Sequence, residues 1–395
     1  MDFELSDEEQ AFQTAVRQFG DRVLRARERE IDTTGRIPDD VLGGMAHLGL
    51  LAMPVSTEHG GMGASAILTE LAAEEIGRGD FSMATAVFFL LEAGWGYVLD
   101  RHGTETAKAE ILPPVCAGKA FLGIASTEPT GGSDLAHMRT QSRRDAGEFV
   151  VRGEKAFVSG VEEAKRLGGG HLTLTRASNG FNFLYVPTRS DRLSTQKFDN
   201  MGRMGISTGG LTYDDVRVPE RFLIGSEGRG FDYAMEGFSV ARTFVSAACV
   251  GAAERALEIG TAYLQQREVF GARLGKFEGP QFELVDLYTQ VEAVKWQCRR
   301  AAWLLDRYTL RGDASHRSEV DKAVASVKLA APQIAFECVK RVMMWHGAAG
   351  YTKEVGLELG LRGIMSYLVG AEGGLNIMRI ILGRELLGRD FVPYR

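Results

Sequence analysis

The residues that decide the fold are Ala125–Asp134, "ASTEPTGGSD", in the first half of the chain. Hydroxyl-bearing residues, two glycines and a proline follow directly on the apolar run "AFLGI" at Ala120–Ile124. Gly131 and Gly132 let a ligand approach the backbone closely, and the segment can present hydroxyl and N–H groups to that ligand. The segment lacks the Gly-Lys-Ser/Thr ending of a phosphate-binding loop. Taken alone, it is more typical of a polar entry into a hairpin, with a turn at Pro129-Thr130.

The pattern of apolar residues along the chain changes at this segment. Residues 6 to about 118 show apolar positions at helical spacing, and Ser6 is the predicted N-cap of the first helix. Short segments rich in β-branched and aromatic residues then follow between turn formers, which predicts strands in "EFVVRGEKAFVSG", "HLTLTRA", "FNFLYVP" and "GLTYDDVRVP". Helical spacing returns at about Gly230. We therefore predict an α+β multi-domain fold: an N-terminal helical domain (1–119), a middle β-barrel or sandwich domain (120–228) and a C-terminal four-helix bundle (229–395).

Composition excludes several classes of protein. The 395 residues carry a formal net charge of -6 without a run of Lys and Arg, so we expect neither a nucleic-acid nor a membrane partner. The longest apolar run, Phe81–Leu91, stops at Glu92 and is too short to span a bilayer, which predicts a buried helix. The acidic start "MDFELSDEEQ" resembles no signal or transit peptide, and we expect a cytoplasmic protein. We predict buried thiols and no metal site from the four scattered cysteines, Cys116, Cys249, Cys298 and Cys338.

The order helical, β, helical, with "STEPTGGSD" at the head of the β domain, resembles the acyl-CoA dehydrogenase family of FAD-dependent flavoproteins. The resemblance covers essentially the whole chain and rests on several separated motifs in the same order. It implies that the loop lies against the flavin and the thioester end of an acyl-CoA. Thr127 would then bond the flavin ring, and Ser133 a flavin or CoA group.

A second motif, "KAFVSG" at Lys155–Gly160, resembles the family's aromatic, β-branched and hydroxyl series. The resemblance implies that Phe157 covers one face of the flavin ring and that Ser159 reaches toward its N5 edge. Taken alone, Phe157 also fits the pattern of an ordinary inward-facing strand residue, because aromatic side chains favour strands.

Two further motifs lie in the C-terminal part. The resemblance of "GFSVARTF" implies that Phe238 lines the acyl-CoA path and that Arg242 lies near the CoA. In "QQREVFGARLGKFEGPQF" the resemblance implies that Arg267, Phe270 and Gln281 contact the FAD of a neighbouring subunit. The guanidinium group of Arg267 suits the pyrophosphate of FAD. The protein would then be an obligate homo-oligomer, by family default a tetramer. Each arginine alone is equally typical of a solvated helix face.

The candidate base lies in "YLVGAEGGLNIMRIILGRELLG", where Glu372 and Gly373 resemble the start of the family's Glu-Gly-Thr motif. The resemblance makes Glu372 the catalytic base and Gly373 part of the substrate site. The residues alone support two interpretations. Burial in an apolar stretch makes a carboxylate a stronger base. An acid just before a helix also interacts favourably with the positive end of its dipole. Some relatives carry the base on the long helix, at a position that is Ala241 here and cannot serve.

The implied reaction is the α,β-dehydrogenation of an acyl-CoA. Glu372 would remove the α-proton while a hydride leaves the β-carbon for flavin N5, which gives a 2,3-enoyl-CoA. An electron-transfer flavoprotein or a similar acceptor would then reoxidise the flavin.

Some positions depart from the family pattern. Met344 replaces a Gln that usually contacts FAD, and Arg362-Gly363 replaces an Arg-Asp pair. One residue more than usual precedes the candidate base, which leaves an atypical base, such as an Asp of the N-terminal domain, as an alternative. The small residues Ala371 and Gly374 favour a bulky, branched or alicyclic acyl group.

Other functions stay open at this point. An acyl-CoA oxidase or a flavin monooxygenase could use the same scaffold, and a monooxygenase has no need of Glu372. A flavin-binding relative without turnover and a purely structural helical scaffold are further alternatives. The sequence does not name the acyl group or the electron acceptor, and it does not separate a dimer from a tetramer.

Overall fold

The computed structural model describes residues 4–393. Residues 1–3 of the predicted first domain, which begin the acidic start, and residues 394–395 of the predicted last domain lie outside this range. The chain forms two compact units. The first comprises the residues up to Thr33, Ala66–Ala86 and the residues from Arg242 onward; the second comprises Thr34–Ser65 and Val87–Ala241.

Helices precede the first strand, as predicted. Their bounds are α1 (Asp7–Phe19), α2 (Arg25–Thr34), α3 (Asp39–His47), α4 (Ala66–Gly79), α5 (Ala84–His102) and α6 (Glu105–Cys116). Ser6 begins α1 with a capping box, because its hydroxyl accepts from the Glu9 N–H and its own N–H donates to the Glu9 carboxylate at 2.8 Å. The predicted buried helix is α5, whose side chains from Ala84 to Leu99 are all buried.

The middle of the chain forms a β-sheet, also as predicted. Its strands are β1 (Phe121–Ala125), β2 (Gln141–Asp145), β3 (Glu148–Ser159), β4 (Gly169–Ala177), β5 (Gly180–Pro187), β6 (Leu193–Lys197) and β7 (Thr208–Pro219), with α7 (Val161–Leu167) after β3. Within the described residues they pair in the order β1-β4-β2-β3-β7-β6, and β5 pairs with β4. Alternating apolar residues such as Phe149 and Val151 place the core on one face of β3.

Long helices follow the sheet. They are α8 (Gly230–Gln266), α9 (Glu278–Arg307), α10 (Arg317–Trp345), α11 (Leu357–Val369) and α12 (Leu375–Leu387). A small hairpin of β8 (Glu268–Val269) and β9 (Ala272–Arg273) lies between α8 and α9. The four cysteines are free and buried, as predicted. Across residues 4–393, none of the helices is both long and apolar enough to cross a bilayer.

Candidate active site: an anchored loop and a strained glutamate

Hydrogen bonds and an ion pair hold the loop after β1 in place. Glu128 and Gly131 exchange backbone hydrogen bonds at 3.1 Å, which confirms the turn at Pro129-Thr130. The buried carboxylate of Glu128 accepts from the N–H groups of Arg139 (2.7 Å) and Thr140 (2.8 Å). These bonds fix both ends of the segment between β1 and β2.

Lys155 of β3 completes this anchor. Its buried ammonium donates to the Ser126 carbonyl at 2.9 Å and to the Glu128 carboxylate at 3.2 Å. Burial lowers the pKa of Lys155 to about 8, although the Glu128 charge opposes this shift. Removal of one partner of such a buried pair costs about 3–5 kcal/mol. Sequence reasoning missed the pair, because no local periodicity connects residues on a loop and on a later strand.

The anchored loop exposes polar groups. Thr127 is half-buried, and its carbonyl accepts from the Ala156 N–H at 2.9 Å. Ser133 is exposed together with its neighbours Gly131 and Gly132. The loop therefore combines a rigid base with an accessible edge of hydroxyl and N–H groups.

Phe157 lies on an irregularity of β3. The register with β7 shifts between Lys155 and Val158, and Phe157 has a φ of 56°, in the left-handed region. Its ring is 67% exposed and packs edge-on against Phe198, with 5.5 Å between the ring centroids. The alternative of an inward-facing strand residue is therefore wrong: the bulge turns the side chain outward. Ser159, two residues on, is half-buried, and its carbonyl lies 3.0 Å from His171 Nε2.

Phe238, the predicted residue of the acyl path, is buried on α8. Its ring lies edge-on to Trp95 of α5 at 5.2 Å. The close packing needs glycine at 237, where a Cβ would lie 2.3 Å from the Trp95 ring.

Glu372 lies in a strained turn between α11 and α12. Its φ is 56°, and Gly373 follows with a φ of 99°. The Gly373 N–H closes the turn onto the Gly370 carbonyl at 2.8 Å. The N-cap of α12 is Gly374, so Glu372 lies two residues before the cap and three before the first helical residue, Leu375. A non-glycine residue in this conformation costs about 1–2 kcal/mol, so its surroundings must enforce it.

Two buried cations hold that turn. Arg242 Nε donates to the Glu372 carbonyl at 2.8 Å, and Lys328 Nζ donates to the carbonyls of Tyr367 (2.8 Å) and Gly373 (3.4 Å). Burial lowers the pKa of Arg242 to about 10 and that of Lys328 to about 8, while the Glu372 charge opposes both shifts. The backbone on either side of the Glu372 side chain is thus fixed from two directions. Sequence reasoning missed Lys328; a lone lysine within the apolar stretch "ASVKLAA" was its only signal.

The residues predicted to contact a neighbouring subunit are all exposed. Arg267 precedes the hairpin, and its carbonyl accepts from Leu274 N–H at 2.7 Å. Phe270 and Gly271 form the hairpin tip, with φ of 48° and 76°. The Phe270 side chain is 100% exposed, and Gln281 is exposed near the start of α9.

The structure also explains one departure from the family pattern. A Cβ at Gly363 would lie 2.5 Å from the Ser82 carbonyl oxygen, so no aspartate fits there. Arg362 forms an ion pair with Asp32 of α2 instead, at 2.7 Å. Met344, at the other departure, is 72% exposed.

Comparison with known proteins decides the family. Three profiles match in order: the acyl-CoA dehydrogenase N-terminal domain at residues 6–119, the middle domain at 123–216 and the C-terminal domain at 228–387. A Bacillus subtilis (strain 168) protein, "Probable acyl-CoA dehydrogenase YngJ", is 31% identical over 98% of this chain and 100% of its own. The chain belongs to the acyl-CoA dehydrogenase family.

Solved structures of the acyl-CoA dehydrogenase family superpose over nearly the whole chain. Butyryl-CoA dehydrogenase from Megasphaera elsdenii has a TM-score of 0.89 at 25% identity and covers 98% of this chain and 100% of its own. A glutaryl-CoA dehydrogenase from Mycobacterium smegmatis, solved in complex with FADH2, also has a TM-score of 0.89, at 23% identity, and covers 99% and 97%. The predicted fold class is confirmed, and the protein is an enzyme of this family. The domain limits of 1–119, 120–228 and 229–395 stay a prediction.

Proposed function

We propose that the enzyme oxidises an acyl-CoA thioester to its 2,3-enoyl-CoA, with FAD as cofactor and Glu372 as the base. The observation that carries this proposal is the turn at Glu372. A glutamate is held at φ 56° there, and buried cations bind the carbonyls of Glu372 and Gly373. Such a conformation is retained when the position of the side chain matters more than its strain.

The proposed role of Glu372 is to take the α-proton of the thioester. Proton transfer is fast only when the acceptor oxygen is held at a fixed distance from the carbon acid. Arg242 and Lys328 supply that fixation through the backbone carbonyls of Glu372 and Gly373. The flanking glycine, Gly373, carries no side chain that would obstruct the substrate.

The exposed residues of the loop and of β3 fit a flavin. The Phe157 ring is exposed enough to cover the face of a planar ring, and the accessible hydroxyls of Thr127 and Ser133 suit its polar edge. Ser159 is proposed to lie at the N5 edge. Bound FAD would supply the acceptor for the hydride that leaves the β-carbon.

The acyl-CoA is proposed to run past Phe238 and Arg242, with Ser133 and Gly373 near its thioester end. The small side chains at Ala371 and Gly374 favour a bulky, branched or alicyclic acyl group over a straight chain. An electron-transfer flavoprotein or a similar acceptor is the proposed oxidant of the reduced enzyme, and the cytoplasm its proposed location.

We also propose a homo-oligomer, a tetramer in line with the family resemblance. A fully exposed phenylalanine on a strained hairpin tip contributes little to its own chain, which favours a role in contact with another copy. Arg267, Phe270 and Gln281 would contact the FAD of that neighbour.

The test is anaerobic mixing of the purified, FAD-loaded enzyme with acyl-CoA thioesters. We expect loss of the flavin absorbance near 450 nm with at least one substrate from a panel of straight, branched and ring acyl groups. An oxidase would add rapid reoxidation by air. If the flavin stays oxidised with every acyl-CoA and is reduced only by a nicotinamide, the monooxygenase alternative replaces the dehydrogenase.

A further inference from the structure

His171 of β4 is a buried histidine without a place in the proposed reaction. Its ring Nε2 lies 3.0 Å from the Ser159 carbonyl oxygen, and its Nδ1 lies 3.3 Å from the Thr188 hydroxyl oxygen. An imidazole in the interior of a sheet costs desolvation, which an apolar side chain of similar size would avoid. What the imidazole adds is a pair of hydrogen bonds that no apolar side chain could make.

The two hydrogen bonds require one protonation state of His171. Burial lowers the pKa of His171 to about 4, although the hydrogen bond with Ser159 opposes this shift, so the ring is neutral near neutral pH and carries one N–H. A carbonyl oxygen can only accept, so that hydrogen lies on Nε2 and points at Ser159. Nδ1 then accepts from the Thr188 hydroxyl. His171 is thus a fixed hydrogen-bond donor to Ser159 and not an acid or a base of the reaction.

The peptide group between Ser159 and Gly160 is held from both sides. Its carbonyl accepts from His171, and its N–H, on Gly160, donates to the Ser207 carbonyl at 2.8 Å. The chain turns here from β3 into α7, because Gly160 has a φ of 83° and is the N-cap of that helix. With both polar atoms bonded, the orientation of this peptide plane is fixed, and the position of Ser159 is fixed with it.

The sheet leaves space for the imidazole at this position. Gly123 of β1 is the residue opposite His171 in the parallel pair of β1 and β4. A Cβ at Gly123 would lie 2.9 Å from His171 Cδ2, so a larger residue would displace the ring. The Phe121 ring lies 5.7 Å from the imidazole between centroids and contacts Gly160, where a Cβ would lie 2.0 Å from Phe121 Cζ. The packing around His171 thus keeps its ring against the end of β3.

We infer that His171 is a positioning residue of the flavin site, which holds Ser159 where that residue reaches the N5 edge of FAD. A hydrogen bond weakens steeply when its distance or angle departs from the ideal, so a contact with a rigid ring needs a fixed partner. His171 is buried behind Ser159 and acts only through it. The inference rests on the proposed function, which assigns Ser159 to the N5 edge.

The experiment measures the FAD affinity of apoprotein variants at position 171 by fluorescence titration. His171→Leu removes the donor and should weaken FAD binding by about five- to tenfold, the effect of one lost hydrogen bond. His171→Gln should bring the affinity back to within about twofold of the unmodified protein, because its amide N–H can take the place of Nε2–H. His171→Asn should stay as weak as the leucine variant, because its shorter side chain places the amide near the position of Nδ1. A need for any polar side chain in the sheet would not separate glutamine from asparagine.

A double-mutant cycle with Ser159 separates positioning from general damage to the sheet. Ser159→Ala should weaken FAD binding about as much as His171→Leu, and the double variant should bind FAD about as weakly as either single variant, because the two residues act as one unit. Thr173→Val is the structural control, since it removes a buried hydrogen bond of the same strand, to the Tyr213 hydroxyl at 3.1 Å. It should lower Tm but leave the FAD affinity within about twofold.

The outcomes separate this inference from the proposed function, because FAD binding needs no substrate. The inference is wrong if His171→Leu or Ser159→Ala binds FAD as tightly as the unmodified protein, if the losses add in the double variant, or if glutamine and asparagine behave alike. Should the leucine variant fail to fold, the glutamine and asparagine variants decide alone. If the affinities follow the expected pattern but no acyl-CoA reduces the flavin of the unmodified enzyme, the proposed dehydrogenation fails and the role of His171 stands.

Discussion

Phe157, Phe270 and Glu372 share a backbone conformation that ordinary residues avoid. They are three of the nine non-glycine residues with positive φ in the described part of the chain. Each lies in a sequence motif that predicts a site residue. Strain that coincides with chemically useful side chains is typical of functional sites, because surrounding contacts must compensate for it. The coincidence supports the three proposed roles.

At this scale the exposed ring of Phe157 gives a direct prediction. Phe157→Ala should weaken FAD binding by about tenfold, since one aromatic stacking contact contributes about 0.5–1.5 kcal/mol beyond its buried area. The apoprotein should lose little stability, because the ring is 67% exposed. The measurement is a titration of apoprotein with FAD, followed by flavin fluorescence.

The control is Met201→Ala, which removes another exposed apolar side chain of the same unit (58% exposed). It should leave the FAD affinity within about twofold, as expected for a surface change away from the ligand. Equal affinity of Phe157→Ala and the unmodified protein would exclude a flavin contact at this ring.

Sequence motifs predict the site residues, but not which contacts hold them in place. Thr127, Phe157 and Glu372 each lie in a short recognisable pattern. Their supports, Lys155 and Lys328, lie on other elements, and a single sequence carries no signal for contacts so far apart.

At the scale of elements, α10 acts on the turn between α11 and α12 through Lys328. The ammonium binds the last part of α11 at Tyr367 and the turn itself at Gly373. We therefore assign Lys328 a positioning role for Glu372. Lys328 acts on the reaction only through the position of Glu372.

Lys328→Met should lower kcat for acyl-CoA oxidation by about ten- to a hundredfold, because the turn loses one of its two backbone donors. FAD content should be unchanged, since the proposed flavin residues lie on other elements. Measurement of kcat, together with the flavin-to-protein ratio, separates the two effects.

Lys340→Met is the matched control: the same substitution on the same helix, at an exposed lysine. It should leave kcat within about twofold. A Lys328→Met enzyme with normal kcat would show that Arg242 alone suffices to hold the turn.

Most helices and strands could be predicted, because the spacing of apolar residues that indicates them is a local property of the sequence. The strands β3, β4, β5 and β7 coincide with the predicted segments, and α5 with the predicted buried helix. The bulge at Phe157 could not be predicted, since its cause is the register with β7. The order of strands in the sheet was likewise outside the reach of local pattern.

At the scale of the whole molecule, the hairpin tip at Phe270 predicts assembly. The FAD-loaded enzyme should have a mass of about four times the 43.1 kDa of one chain by light scattering. Phe270→Ser should lower FAD affinity by about tenfold, because it removes a contact made only between copies.

Tyr351→Ser serves as the control, since Tyr351 is 92% exposed but belongs to no predicted interface motif. It should leave both mass and FAD affinity unchanged. The shared cofactor site would be refuted if the enzyme were a monomer and Phe270→Ser bound FAD as tightly as the unmodified protein.

The grouping of segments into compact units also could not be predicted from sequence patterns. Ala66–Ala86 belongs to the same unit as the C-terminal helices, whereas the residues from Val87 to Ala241 form the other unit with Thr34–Ser65. Helical spacing is similar in the helical segments of both units, so it carries no information about which helices pack together. The order of helical and β segments could be predicted from the residue pattern, but the grouping of the helices into units could not.

The role of Glu372 is tested most directly by anaerobic stopped-flow mixing of Glu372→Gln with the best acyl-CoA substrate. Glutamine keeps the length and shape of the side chain but cannot accept the α-proton. The variant should bind FAD normally and retain the oxidised flavin spectrum, with reduction by substrate at least a thousandfold slower than in the unmodified enzyme. Flavin reduction at the unmodified rate would show that another group removes the proton.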